Sequence, residues 1–387
     1  MPTDTTLNSK DPIQIVPYRG FGNSTTFFLR GRVLEDKKIG LSTDKDSAWR
    51  NLQNAWKRFE SDEIGGARVR VSKDGIYQEV TTDSEGFFAV TLETPQPVAN
   101  QNFWQELDVE LLSPLHPPQG AVKEKGQVLV PTELARFGVI SDMDDTVLQT
   151  NAASILQMAK NVLFGNARTR LPFKGVAAFY QALQEEDGEP ANPLYYVSSS
   201  PWNLYDLLME FFQIQKIPIG PLLLKDWGIT GIEALPQRHR AHKLNSIRQI
   251  LDLVTDLPFI LIGDSGQKDP EIYHEILSLY PKRILAIYIR NVSRGIRRAS
   301  AIRELAKKVV DEGSTLILAD DTLAAARHAI EQGWIKPDKF PEIVAEKNAD
   351  ESPKKKLLKP EPPSPIKISG KPQKNTARQS RNDKEPL

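Results

Sequence analysis

The sequence predicts an α/β protein in which a small antiparallel β-sandwich precedes a mostly parallel sheet with helices on both faces. Before residue 130, short runs of alternating polar and apolar residues are separated by turn-forming pairs such as Asp74-Gly75. After Pro131, apolar runs alternate with longer helical segments, which is typical of a parallel sheet. The 387 residues, 40% hydrophobic and 26% charged, suffice for two ordinary soluble domains.

The first domain is expected at residues 24–130, after a flexible leader at residues 1–23. One helical insertion, near residues 46–60, interrupts the strands, because Trp49, Leu52, Trp56 and Phe59 recur at helical spacing. We expect this aromatic face to pack against the sandwich or the next domain, with contact to a lipid or another protein as the alternative.

The second domain is expected at residues 131–340. Its predicted strands are residues 137–141, 194–198, 259–263, 284–289 and 315–319, and its clearest helices are residues 202–213, 242–253 and 270–280.

The last segment, residues 341–387, is rich in Lys and Pro and is predicted to be a disordered basic tail. Residues 346–387 contain 11 Lys and Arg against 6 Asp and Glu, a net charge of +5, although the whole chain is neutral. A neutral chain has no overall field to recruit nucleic acid. The chain has no cysteine, which excludes thiolate chemistry, and its opening residues lack the pattern of a signal peptide, so we expect a cytoplasmic protein.

Polar side chains follow directly after three of the predicted strands. Asp142, Asp144 and Asp145 follow the first strand, Ser198 begins a run of three serines at the end of the second, and Asp264 follows the third. The carboxyl ends of parallel strands meet at one edge of a sheet, so these side chains should converge. Clustered carboxylates need a cation, and Mg²⁺ is the usual one where a phosphate also binds. The pattern therefore predicts Mg²⁺ and a phosphoryl group at this edge.

The same residues follow the order of the four motifs of the haloacid dehalogenase superfamily of aspartyl-phosphate phosphatases. The motifs are Asp142-x-Asp144-x-Thr146, a serine after the second strand, a lysine, and Gly263-Asp264 with Asp269. Within that superfamily, the strings SDMDDTV, YYVSSSPWNLY, GPLLLKDWG, HKLNSIRQIL and LIGDSGQKDPEIY resemble the catalytic domain of the actin-patch-protein type of phosphatidate phosphatase, over about residues 136–334. The resemblance implies a dehalogenase-like (Rossmann-like) fold, and bacterial relatives often have a β-rich N-terminal domain.

The resemblance implies a role for each matching residue. Asp142 would be the nucleophile and Asp144 the general acid and base; both are predicted Mg²⁺ ligands, together with Asp264. Ser198 would hydrogen-bond the phosphoryl group and Lys243 would balance its charge. Further candidates are Thr146 and Ser199 as substrate contacts and Asp269 as a partner of the metal ligands. Arg290, by its position just after a predicted strand, either contacts the substrate headgroup or forms an ordinary surface ion pair.

Three other features have competing interpretations. Lys225 competes with Lys243 for the lysine role, and His239 and His242 are interpreted as solvated histidines at a helix start, since no third soft metal ligand is visible. Residues 151–173 contain an apolar stripe with basic neighbours, which either packs against the domain or contacts an anionic membrane surface.

We therefore expect a Mg²⁺-dependent phosphatase that hydrolyses phosphatidate to diacylglycerol, in the cytoplasm or at a membrane surface. Two alternatives stay open. The substrate could be a soluble phosphomonoester, because the four motifs specify the chemistry and not the leaving group. The chain could also be a lipid- or protein-binding scaffold with a vestigial site, although intact Asp142 and Asp144 argue against this.

Overall fold

The computed structural model describes residues 12–36, 63–98, 102–115, 119–143, 175–225, 236–292 and 295–351. These residues form one mainly antiparallel sheet and one parallel sheet, which confirms the α/β class. The predicted helix at residues 46–60, the stripe at residues 151–173, Asp144, Thr146 and the chain after Glu351 lie outside the described residues.

The antiparallel sheet contains the first eight strands. They are β1 (Ile13–Pro17), β2 (Gly20–Gly22), β3 (Thr26–Glu35), β4 (Arg68–Lys73), β5 (Ile76–Thr81), β6 (Phe87–Glu93), β7 (Trp104–Ser113) and β8 (Lys123–Leu129). The hydrogen-bonded order is β1-β3-β2-β8-β7-β4-β5, and β6 also pairs with β3. All pairs are antiparallel except β2 with β8.

These strands form one continuous sheet and not the two sheets of a sandwich. The reason is the length of β3, whose ten residues pair with β1, β2 and β6. Strands β5 and β6, which lie at opposite ends of the sheet, contact each other, so the sheet curls around one apolar core. Alternating buried and exposed residues, as in β7, line that core.

The predicted flexible leader at residues 1–23 is wrong for its second half. Residues Ile13–Pro17 and Gly20–Gly22 are strands, and Ile13, Ile15 and Phe21 are buried. Strand β1 pairs with β3, which follows after a turn, and β2 pairs with β8, which is distant in sequence. The short apolar runs alone therefore do not predict the two strands.

The parallel sheet contains β9 (Gly138–Asp142), β12 (Leu194–Pro201), β13 (Leu222–Lys225), β14 (Phe259–Asp264), β15 (Ile284–Arg290) and β16 (Leu316–Ala319). A short hairpin with two residues in each strand, β10 (Glu185–Glu186) and β11 (Glu189–Pro190), precedes β12. The strand order is β13-β12-β9-β14-β15-β16, so the chain moves to one side of β9 and then returns to the other. This reversal opens a crevice between the ends of β9 and β14, the usual ligand position in such sheets.

Helices cover both faces of the parallel sheet. They are α1 (Val176–Gln184), α2 (Tyr205–Gln215), α3 (Pro236–Leu253), α4 (Asp269–Leu279), α5 (Ile296–Asp311), α6 (Thr322–Glu331) and α7 (Phe340–Glu351), with single 3-10 turns at Trp202–Leu204 and Pro337–Lys339. One core packs α1, α2 and α6 against the sheet, and the other packs α3, α4 and α5. Within the described ranges, none of the helices has the length and apolar character needed to cross a membrane.

The prediction of a disordered tail from residue 341 is wrong for residues 341–351, which are helical. Helix α7 continues to Glu351, with Ile343 buried and Lys347 paired with Asp321 at 2.5 Å. The Glu346 carboxylate also accepts a hydrogen bond of 2.7 Å from the Ala178 N–H at the start of α1. These contacts are made by polar and isolated apolar residues, which composition alone assigns to a tail.

The two sheets pack directly against each other. Tyr18, between β1 and β2, and Phe87 of β6 belong to one core of the parallel sheet, and Phe21 and Leu129 belong to the other. The Asn23 side-chain amide also donates to the Leu253 carbonyl at 2.9 Å. The antiparallel sheet therefore contributes to the same buried interior as the helices.

Candidate functional site

Three strand ends bring the predicted polar residues together at the crevice beside β9. Asp142 is the last residue of β9 and pairs in register with Val197, the residue before Ser198 in β12. On the other side of β9, Ser141 is paired with Ile262, so Asp264 at the end of β14 lies at the same edge. Parallel strands that are buried on both faces are continuous apolar runs. The first polar residue after each run therefore marks the end of the strand.

Lys243 lies between two of the buried carboxylates. Its Nζ is 2.9 Å from Asp142 Oδ1 and 2.6 Å from Asp269 Oδ1. The exposed fractions of these side chains are only 3% for Lys243, 2% for Asp142 and 0% for Asp269, so water screens the pairs weakly. The helix predicted at residues 242–253 is longer than expected, because α3 already begins at Pro236.

Asp269 and Asp264 are held by backbone donors. Asp269 Oδ2 accepts a hydrogen bond of 3.0 Å from the Asp264 N–H, and Asp264 Oδ1 accepts from the N–H groups of Gly266 (2.6 Å) and Gln267 (3.1 Å). Gly263 permits this arrangement, since a Cβ at that position would lie 2.4 Å from Asp269 Oδ2. The glycine before the aspartate is therefore a steric requirement of the site.

The carboxylates of Asp142, Asp264 and Asp269 could hold a metal ion, because one oxygen from each lies within 4.8 Å of the others. Oxygen donors of this kind suit a hard divalent cation. If all three are ionised, three negative charges face one ammonium, Lys243, which leaves a net charge of −2 in a buried cluster. A divalent cation would neutralise that charge, so the residues present fit Mg²⁺.

Both oxygens of Asp269 accept a hydrogen bond or ion pair from the protein, one from Lys243 and one from the Asp264 N–H. Such contacts hold the carboxylates of a metal site in place. Asp142 and Asp264 as metal ligands, with Asp269 as their partner, stay a prediction. Asp144, also predicted as a ligand, lies outside the described residues.

The serines lie in what we call the serine turn, residues 198–203, which ends β12 and enters the 3-10 turn before α2. Ser198, Ser199 and Ser200 are all buried, and the Ser200 N–H donates to Ser198 Oγ at 3.1 Å. His242 Nε2 lies 3.1 Å from the Ser198 carbonyl oxygen, to which the ring donates. The interpretation of His242 as a solvated residue is therefore wrong, because helix α3 turns it toward β12.

Tyr180 is a residue of the site that the sequence analysis missed. Its hydroxyl lies 2.6 Å from Oγ of Ser141, the residue before Asp142. Burial, with the nearby negative charge of Asp142, raises the pKa of Tyr180 above its usual range, so the phenol stays protonated. No local pattern distinguishes this tyrosine from the other apolar residues of α1.

Arg290 and Lys225 lie at the same edge of the sheet, since each ends a parallel strand. Arg290 ends β15 in register with Asp264, and its charge opposes the rise in the pKa of Tyr180 that burial causes. Lys225 ends the edge strand β13 and is buried, but it is paired in register with Pro201, whereas Lys243 contacts Asp142 itself. His239 is half-buried on α3.

Comparisons with known proteins match this part of the chain. Residues 137–291 match the family model described as phosphatidate phosphatase APP1, catalytic domain. An uncharacterized protein of Schizosaccharomyces pombe is 30% identical over 220 residues, 55% of this chain and 34% of the relative. Phosphatidate phosphatase APP1 of Saccharomyces cerevisiae is 31% identical over 161 residues, 41% of this chain and 27% of the relative.

The chain thus spans only about a third of the length of these curated relatives. A solved carbohydrate acetylesterase from Xanthomonas citri aligns over 75% of this chain and 71% of its own, but at 13% identity and a TM-score of 0.25, which supports no inference about the fold. The family match contains β9, the serine turn, Lys243 and Asp264, so residues 137–291 are similar to the catalytic-domain family of phosphatidate phosphatase APP1.

Proposed function

We propose that the chain is a Mg²⁺-dependent phosphatase with a dehalogenase-like catalytic domain, which hydrolyses phosphatidate to diacylglycerol and phosphate. The observation that carries the proposal is the buried cluster in which Lys243 bridges Asp142 and Asp269 beside Asp264. Burying charged side chains costs free energy because they lose their hydration. Such a cluster at the carboxyl ends of parallel strands therefore favours a catalytic role.

In this proposal Asp142 is the nucleophile. An oxygen of its carboxylate attacks phosphorus, the bond from phosphorus to the ester oxygen breaks, and an aspartyl phosphate and an alkoxide form. Lys243, at 2.9 Å from Asp142, holds that carboxylate in place and offsets the charge of the phosphoryl oxygens. Ser198 would hydrogen-bond one of those oxygens.

Asp144 is proposed to move the protons. It donates a proton to the leaving alkoxide and then removes one from the water that attacks phosphorus, which releases phosphate and restores Asp142. This role is transferred from the family motif. A Mg²⁺ ion held by Asp142, Asp144 and Asp264 would supply charge stabilisation to the phosphoryl group.

Phosphatidate is the proposed substrate because the matched family and the yeast relative are named for it. Thr146, Ser199 and Arg290 are proposed to contact the substrate. A lipid substrate also requires contact with a membrane surface, for which the basic residues after Glu351 and the stripe at residues 151–173 are the proposed sites. The protein would then act in the cytoplasm, peripheral to the membrane.

The test is phosphate release from phosphatidate in mixed micelles and from a water-soluble phosphomonoester, each with Mg²⁺ and with a chelator. We expect Mg²⁺-dependent release with the wild-type chain and background release with Asp142→Asn, since an amide cannot form the acyl phosphate. Asp256→Asn, an exposed aspartate far from the crevice, is the control and should keep full activity. Near-normal release by Asp142→Asn would exclude this mechanism, and release from the soluble ester alone would change the substrate class.

A further inference from the structure

The far end of the serine turn contacts the antiparallel sheet. Asn203, five residues after Ser198, accepts a hydrogen bond of 2.8 Å from Arg32 Nη1 of β3. The two residues are 171 positions apart in sequence. The turn that carries the predicted phosphate-binding serine is therefore attached to both sheets.

Arg32 is buried and makes three hydrogen bonds that connect the serine turn to the antiparallel sheet. Its side chain is only 6% exposed, and each guanidinium nitrogen has a partner. Nε donates to the Glu85 carbonyl, Nη2 to Glu63 and Nη1 to Asn203, all at 2.8 Å. The planar fork of Arg fixes the directions of these bonds, so two anchors on the antiparallel sheet determine where Asn203 lies.

Aromatic contacts reinforce the same attachment. Trp202 in the serine turn stacks on Tyr18, with ring centroids 4.6 Å apart at 21°, and the Arg30 guanidinium lies 4.8 Å from the centre of the Trp202 ring. Just beyond the turn, the Tyr205 hydroxyl accepts a hydrogen bond of 3.0 Å from the Arg19 N–H. Stacked and cation–π contacts of this kind are geometrically selective, so they limit movement of the turn.

The near end of the turn is part of the candidate site. The Ser200 N–H donates to Ser198 Oγ, and His242, next to Lys243, holds the Ser198 carbonyl. The turn is thus held at one end by the site and at the other by Arg32. A shift at Asn203 is transmitted to Ser198 through only four intervening residues, one of them the rigid Pro201.

We propose that Arg32 is a positioning residue, and that the antiparallel sheet acts through it to hold Ser198 at the correct distance from Asp142. The proposal rests on the proposed phosphatase function, because its kinetic consequence concerns phosphoryl binding. Misplacement of a reacting or binding group by about 1 Å can cost roughly 10²-fold in rate. The antiparallel sheet then contributes to catalysis by positioning Ser198.

The test compares two variants that each remove one acceptor from the same guanidinium. Asn203→Ala removes the acceptor in the serine turn, and Glu63→Ala, the matched control, removes the acceptor on the antiparallel sheet, whose side chain is 43% exposed. Two quantities are measured on the full chain: kcat and KM for a soluble phosphomonoester, and amide hydrogen exchange of residues 198–204. Asn203→Asp restores an acceptor of the same shape.

With Asn203→Ala we expect kcat to fall by about 10- to 100-fold and exchange in the serine turn to accelerate. The Mg²⁺ concentration for half-activation should stay unchanged, because Asp142 and Asp264 lie outside the turn. Glu63→Ala should change kcat and exchange by less than about threefold. Arg32 keeps its bonds to Asn203 and to the Glu85 carbonyl in that variant, so the serine turn stays attached. Asn203→Asp should restore the slow exchange.

Two outcomes would overturn the proposal. One is unchanged exchange and kcat in Asn203→Ala; the other is an equal loss in both alanine variants that follows their melting temperatures, which would make the contact ordinary packing. If the wild-type chain hydrolyses no phosphomonoester, the proposed function is wrong, and the exchange of the serine turn still decides whether Arg32 positions it.

Discussion

Replacing Lys243 with methionine is the most direct perturbation of the buried charge cluster. The substitution keeps an unbranched side chain of similar length and removes only the ammonium group that contacts Asp142 and Asp269 at 2.9 and 2.6 Å. Both carboxylates are almost fully buried, so neither can recover the lost interaction from bulk water. The folded state therefore loses stability in addition to any loss of activity.

The size of the effect follows from the burial of the partners. Breaking a buried ion pair by removing one partner costs about 3–5 kcal/mol, because an uncompensated charge stays in the interior. In a protein of this size, 1 kcal/mol changes the melting temperature by roughly 2 °C. We therefore expect Lys243→Met to melt roughly 6–10 °C below the wild-type chain, by the product of these two estimates.

The assay is thermal unfolding in metal-free buffer at neutral pH, so that no bound cation neutralises the carboxylates. Lys307→Met is the matched control, because Lys307 pairs with Glu304 at a similar distance, 2.8 Å, but both side chains are about 70% exposed. Such a pair contributes about 0–1 kcal/mol. The double variant Lys243→Met with Asp269→Asn should recover part of the loss, since it removes one of the two orphaned charges.

The reasoning fails if Lys243→Met melts within about 2 °C of the wild-type chain, the change expected from only about 1 kcal/mol. It also fails if the Lys307→Met control is destabilised equally, because burial would then have no influence on the cost. A double variant less stable than Lys243→Met alone would show that Asp269 stabilises the fold by contacts other than its ion pair.

Three further predictions concern the surroundings of the site. Gly263→Ala should lower stability by about 1–3 kcal/mol in urea unfolding and reduce phosphate release, because its Cβ would overlap Asp269; unchanged unfolding would contradict this. Burial raises the pKa of Glu271, but the hydrogen bond from the Arg298 guanidinium lowers it, and the pKa lies below its ordinary value of 4.5. The stability that Glu271→Gln removes should therefore be present at neutral pH and disappear as the pH falls through that lower native pKa; a pH-independent difference would contradict the pairing. Truncation after α7 should leave the melting temperature unchanged, whereas truncation before α7 should lower it, because Ile343 is buried; equal melting of both would show that α7 adds no stability.

The sequence by itself determined the parallel sheet and the edge at which the site lies. Strands buried on both faces are continuous apolar runs, so β9, β12 and β14 and their first polar residues can be located without tertiary contacts. The spacing of Asp142, Ser198 and Asp264 along the chain then follows from the strand ends, and so does the prediction that they meet. These are local properties, which explains why they were predicted within a few residues.

Only the tertiary structure decided which side chains contact one another. Lys243 bridges Asp142 and Asp269 because α3 begins at Pro236 and turns that face of the helix toward β9, and His242 reaches Ser198 for the same reason. The pairing of Arg32 with Asn203 depends on how two sheets pack, as does the burial of β1, whose apolar run is too short to be identified alone. Such contacts join residues distant in sequence, and their geometry is set by the packing of whole elements, which no local pattern contains.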